Sequence, residues 1–318
     1  MRHASLAIAL AVFGFSDTAR AQVAPAVQAQ WFTGSLEAPS PAVGSAGTWV
    51  IEPYVIYQRN TGAYDSGGQR RSFTGAERQL ESTTLFKYGI TSRLTIAALP
   101  SFSHAWNDQS HVTGAGDLPV ELEYRFNNEK KETGLPSVTA SVGISLPTGN
   151  YNRLRASIDG LGSGAYTLKE GLLAQSLFDT PGNHPLRLRL YGAAFEPVSN
   201  VAVNDLSVYG TGQGFAGHAA PGFSAELGLG AGYALDQRWV LAFDLVQNFA
   251  HGSRLNGVDA SGSSVNSKDS GSTRTAVAPA IEYNFSGHVG IIAGVEFSVA
   301  GRNTASYLAP QIALSFSR

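Results

Sequence analysis

Glu121, Glu123 and Arg125 occupy every second position between Leu118 and Phe126, and Arg187 and Arg189 do the same between Leu186 and Leu190. In an extended chain a spacing of two places such residues on one face. Rows of acids and bases turned toward a common interior could set the local field and selectivity of a polar channel. The alternative is that they pair across neighbouring strands and fill a narrow interior. The same parity rule, taken against apolar alternate neighbours, adds Glu52, Glu81, Lys87, Asp117, Glu226, Asp244, Glu282 and Glu296 as candidates for lining that interior. One pair resists it: Lys169 and Glu170 are adjacent, so a regular strand must send one of them the other way, unless a bulge intervenes.

Catalytic patterns are weak. His104 or His111 with Ser101 or Ser103 could make a lipase-like nucleophile arrangement, but serine is common throughout. The seven histidines show no pair at metal-ligand spacing. Gly228, Gly230 and Gly232 lack the lysine and following helix of a phosphate loop and read as small residues relieving crowding in a strand. No catalytic residue, cofactor or metal is therefore expected.

Twelve strands position these residues. The clearest runs from Leu118 to Phe126, with Leu118, Val120, Leu122, Tyr124 and Phe126 opposite the charged row. Similar alternation recurs in 49–57, 94–102, 138–146, 186–191, 223–233, 239–245, 277–285, 289–299 and 308–316, with less regular runs at 81–88 and 166–178. Short connections (89–93, 127–136, 179–185, 236–238, 286–288) alternate with long ones rich in Gly, Ser and Asn (60–76, 147–164, 198–221, 250–272), with more modest loops near 106–114 and 301–304. This asymmetry predicts a transmembrane antiparallel up-and-down β-barrel with short periplasmic turns and longer extracellular loops. The long loop 198–221 could fold inward as a constriction. Aromatics near strand ends, among them Trp49, Tyr57, Tyr124, Phe126, Tyr233, Trp239, Tyr283 and Phe285, suit interfacial girdles.

The N-terminus has a basic start, an apolar run and small residues at Ala19 and Ala21, the order of a signal peptide cleaved after Ala21. The chain is then read as a signal peptide (1–21), a flexible periplasmic leader (22–46) without strand or helix period, and an outer-membrane barrel (47–318). Losing two arginines and one aspartate with the signal moves the formal charge from −2 to −3, so nothing points to nucleic acid as a partner. Cysteine is absent, which excludes disulfides and thiolate metal sites. The last strand ends on Phe316, similar to the terminal assembly signal of outer-membrane barrels, although Ser317 and Arg318 follow it.

Three stretches, 114–126 (GAGDLPVELEYRF), 136–151 (PSVTASVGISLPTGNY) and 160–178 (GLGSGAYTLKEGLLAQSLF), resemble the family named for the MetA pathway of phenol degradation, a group of outer-membrane barrel transporters. The resemblance covers about the middle fifth of the chain. It implies a barrel fold, an outer-membrane location and, from pathway context, passage of small aromatic or otherwise hydrophobic compounds; it brings no catalytic residues. The expected function is an outer-membrane channel or transporter for small molecules. Its partners would be outer-membrane lipid, a small-molecule solute and the barrel-assembly machinery. A barrel enzyme acting on lipids and a secreted soluble β-rich binding protein are the alternatives.

Overall fold

The computed structural model describes residues 30–72, 77–182 and 184–318; the expected signal peptide and residues 22–29 lie outside them. Twelve wall strands follow one another around a closed antiparallel sheet. They are β1 (Trp49–Tyr64), β2 (Arg78–Gly89), β3 (Leu94–Ala98 resuming as Ser101–Trp106), β4 (His111–Ala115 resuming as Leu118–Asn127), β5 (Ser137–Leu146) and β6 (Thr167–Thr180). Then come β7 (His184–Pro197), β8 (Ser224–Ala234), β9 (Trp239–Ala250), β10 (Ser272–Asn284), β11 (Val289–Arg302) and β12 (Thr304–Ser317). The seam closes where β12 pairs with β1, from Val50 opposite Ser317 to Tyr64 opposite Thr304. Closure leaves no unpaired sheet edge, the condition for crossing a hydrocarbon layer with strands.

Residue alternation decides which face meets what. Val55, Leu80, Phe86, Ile96, Leu122, Val142, Leu190, Leu227, Leu241, Ile281 and Leu308 point outward and are exposed. Toward the short-turn end this apolar band meets aromatic pairs: Trp239 with Tyr283 at 4.6 Å, Tyr283 with Phe285 at 5.0 Å, and Tyr124 with Phe126 at 5.3 Å between ring centres. Tyr57 and Trp106 pair at the other end. An apolar band between aromatic belts is the outer surface of a transmembrane barrel.

The short turns are built by local capping. Asp236, for example, accepts bonds from the backbone N–H groups of Arg238 (2.7 Å) and Trp239 (2.8 Å), which hold its carboxyl below the usual range.

The long loops do more than connect. Residues 198–223 and 251–271 contribute Val201–Asn204, Ala216–Ala220, Arg254–Val258 and Ser264–Lys268 to a separate four-stranded sheet. Val201, Val203, Phe215, Ala219 and Leu255 pack together with Ala165 to form its small core. The expected inward constriction by 198–221 is thus corrected: that loop spends its apolar residues on this sheet. The loop that turns inward is 147–166. Its Ile158 is buried against Ala105 and Val112, inward residues of β3 and β4, with Leu161 alongside.

Lys169 and Glu170 need no bulge. Strand β6 keeps unbroken register with both neighbours, Lys169 points inward, and Glu170 is exposed on the outer face three residues from the long-loop end. There a carboxylate reaches the interface at little cost.

Candidate functional site: a chamber beside an inserted segment

The lower stopper comes from the segment expected to be a flexible leader. Residues 30–48 enter the barrel at the short-turn end, climb to its middle, turn at Pro39–Pro41 and descend to the start of β1. Gln30 bonds the carbonyls of Asp236 and Gln237. At the other foot Gly47 N–H donates to the carbonyl of Gly89 at 2.9 Å. Ser35, Leu36, Ala38, Ala42 and Val43 are buried. Residues 30–46 of the expected leader thus lie inside the barrel; the segment has no strand partner of its own, so wall side chains take up its main-chain polar groups, which could not otherwise be buried.

These side chains are mostly the charged ones singled out from the sequence. Glu282 accepts Thr33 N–H at 2.8 Å, and Arg187 donates to the carbonyl of Gly34. Asp244, fully buried, accepts from Ser35 Oγ and from Leu36 and Glu37 N–H at 3.1 and 3.3 Å. Arg189 donates to Ala38 O at 3.1 Å, Lys87 to Ser40 O at 2.7 Å, and Arg125 to Ala42 O. Arg187 also pairs with Glu282 at 3.1 Å and lies 4.3 Å from the Phe32 ring centre. Leu36 packs against Ala242, Ala278, Ile292 and Ala313. The glycines of β8 make room: a Cβ on Gly230 would come within 2.7 Å of Ala38 Cβ, and one on Gly228 within 2.3 Å of the Tyr191 ring.

An upper stopper, the loop 147–166, covers the long-loop end beside β3 and β4, and Asp117 holds it. Its carboxylate accepts Gly149 N–H at 3.0 Å and both Ser163 N–H and Ser163 Oγ at 2.8 Å. Asp117, at the break in β4, therefore serves this loop and departs from the expected lumen lining.

Within the barrel, against residues 34–40 of the inserted segment, lies a chamber of about 420 Å³. Glu52, Glu81, Glu121, Glu123, Glu226 and Glu296 reach it together with Lys87 and Arg189, as the parity rule placed them. Lys87 and Glu123 form a buried ion pair at 2.6 Å, and Lys169 meets Glu121 at 2.7 Å. Apolar side chains complete the wall: Ile56, Leu85, Leu99, Leu173 and Phe195.

Residues the sequence did not single out matter equally. Thr95 Oγ1 accepts Val43 N–H at 3.0 Å, Gln175 receives Arg189 at 2.8 Å, and Gln311 donates to Glu37 at 2.7 Å. All three stand at inward parity, but an uncharged polar side chain costs too little on either face for its type to mark the inward one.

The lipase-like arrangement does not assemble. His104 is exposed on the outer face, bonded to Thr113 at 2.7 Å, while buried Ser103 accepts from Gln79 inside. No group of three metal-ligating side chains gathers among the described residues.

Comparison with known proteins agrees at the level of architecture. The sequence matches no protein-family profile and no curated protein. The structure is similar to that of the COG4313 outer membrane channel from Pseudomonas putida F1, with 16% identity, 89% of this chain and 100% of that chain covered, and a TM-score of 0.67. Fainter likenesses, from which nothing is taken, are to the transport unit of the autotransporter AIDA-I from Escherichia coli (11% identity, 89% and 94% covered, TM-score 0.49) and the NanC porin (10%, 84% and 98%, 0.42). The chain shares its fold with outer-membrane barrels.

Proposed function

We propose that this chain is an outer-membrane channel through which small, partly apolar molecules pass, with the central chamber as their station. The observation that carries this reading is the chamber itself. A barrel serving only as a scaffold could fill its interior with wall side chains; here the inserted segment occupies part of the interior and a cavity of about 420 Å³ remains beside it. That volume falls within the range of small-molecule sites, roughly 300–1,000 Å³. The mixed lining, with Leu85, Leu99 and Phe195 beside carboxyls, suits molecules with an apolar body. The resemblance to the phenol-degradation family adds aromatic compounds as the first class to try.

In this reading the short-turn end faces the periplasm, the four-stranded sheet faces outward, a signal peptide directs export, and the barrel-assembly machinery inserts the chain. Lipid hydrolysis is disfavoured by the separation of His104 from Ser103 across the wall.

The test is single-channel conductance in planar bilayers of the mature chain and of a variant lacking residues 30–45, with benzoate and benzyl alcohol added in turn. Small openings in the parent, larger ones in the variant, and block by one solute class are expected. Two inserted but silent proteins would refute passage.

A further inference from the structure

We infer that the chamber is shaped for an organic cation with an apolar body, a protonated primary amine being the simplest example; this rests on reading the chamber as a solute station. The argument begins with a mismatch of charge. Glu121 and Glu123 are matched by Lys169 and Lys87. Glu37, Glu52, Glu81, Glu226 and Glu296 also reach the chamber, and Arg189 is the one further cation lining it among the described residues.

Each of those five acids is held by a neutral donor. Gln311 bonds Glu37, Ser315 bonds Glu52 at 2.9 Å, Gln79 bonds Glu81 at 2.9 Å, Asn248 bonds Glu226 at 2.8 Å, and Tyr307 bonds Glu296 at 2.5 Å. None has a cationic nitrogen within 4.0 Å among the described residues. Arg274, whose field reaches Glu296, stacks on Tyr307 and does not line the chamber. Arg189 is already committed to Gln175 and to the carbonyl of Ala38, which leaves little for an anion. A cavity lined by more acids than bases favours a solute that brings a cation.

A second observation points the same way. Thr139 Oγ1 and Glu123 Oε2 have no hydrogen-bond partner among the described residues, both residues line the chamber, and each is only 4% exposed. An ammonium brings three donors and no acceptor, the complement of such a surface. Ile56, Leu85, Leu99 and Phe195 offer the body of the ligand an apolar wall.

The experiment uses the full mature chain in phosphatidylcholine nanodiscs and isothermal titration with three probes sharing one body: 4-phenylbutylamine, 4-phenylbutanol and 4-phenylbutyrate. Empty nanodiscs correct for partitioning into lipid. The amine is expected to bind about tenfold more tightly than the alcohol, the scale on which a cleft of one sign enriches its counter-ion, and the acid least. The double variant Glu81→Gln/Glu226→Gln should reduce the amine-to-alcohol ratio severalfold, its folding checked by heat-modifiable migration; the parent ratio stands as evidence whether or not that variant folds. Equal binding of amine and alcohol, tighter binding of the acid, or binding of none of the three overturns the inference. If none binds while conductance is intact, the channel reading survives alone. If the amine binds but no current or solute passes, the cation site stands and passage fails.

Discussion

Asp244 is the residue on which the lower stopper should depend most. Its carboxylate, wholly buried, receives Ser35 Oγ and the N–H groups of Leu36 and Glu37 at the top of the segment's climb. Replacing it, Asp244→Ala, removes three hydrogen bonds and leaves two main-chain donors without partners. A hydrogen bond to a charged group contributes about 1.5–3 kcal/mol, and the two main-chain bonds are long, so the lower figure applies to each of them. Removing an acid with no close cation returns part of its desolvation cost. The net loss in seating the segment is then about 3 kcal/mol, or about 150-fold in the fraction unseated.

The natural chain has no cysteine, so Leu36→Cys places a single thiol at a buried point of the segment. Labelling of this thiol by a membrane-impermeant maleimide, in the parent and in the Asp244→Ala background, reads the unseated fraction directly. The rate should rise by about two orders of magnitude while the barrel's unfolding temperature changes little. Equal labelling rates in the two backgrounds would refute the view that Asp244 holds the segment; parallel loss of barrel stability would show that Asp244 supports the wall instead.

Other outcomes follow from the same geometry. Lys87→Met leaves Glu123 buried without its cation and should cost about 3–5 kcal/mol, seen as a lower unfolding temperature that Lys87→Met/Glu123→Leu largely restores. Ile158→Glu puts a charge where Ala105 and Val112 close around an apolar side chain; the upper stopper should lift, read as a severalfold gain in conductance with the four-stranded sheet intact. Because the Asp236 carboxyl is held below its usual range, its stabilisation of the β8–β9 turn is complete above that range and lost as pH falls through the depressed value. Amide exchange at Arg238 and Trp239 should therefore rise in strong acid in the parent and be raised at all pH in Asp236→Ala.

The wall was legible in the sequence because a period of two is a local property: Leu118–Phe126 and 138–146 announce both their faces without reference to anything distant. Inward placement of Glu121, Glu123, Arg187, Arg189 and Glu282 follows from the same parity. What these residues do there was not legible. Asp244 and Arg125 look like lining for a polar pore, yet they bind the main chain of 35–42, more than eighty residues away along the sequence. That segment carries no period because side chains, not a neighbouring strand, satisfy its backbone. Loop 198–221 misled for a related reason. Length alone does not tell a loop that turns inward from one that pairs with another, and its partner, Arg254–Val258, lies in the next long connection.

The lower stopper also bears on the order in which the molecule can be assembled. Residues 30–48 precede β1, but the anchors of their first half, Arg187, Arg189, Asp244 and Glu282, lie on β7, β9 and β10, and Leu36 and Asp244 stand 208 positions apart in the chain. Until those strands are in place the segment has only its contacts with Lys87, Thr95 and Arg125, and contacts as distant as that of Leu36 with Asp244 form slowly. The wall strands, each paired with its successor, can zip without it. The segment thus settles either as the β1–β12 seam closes or afterwards by entering through the short-turn mouth. On either timetable the seating of the segment is among the last steps of assembly.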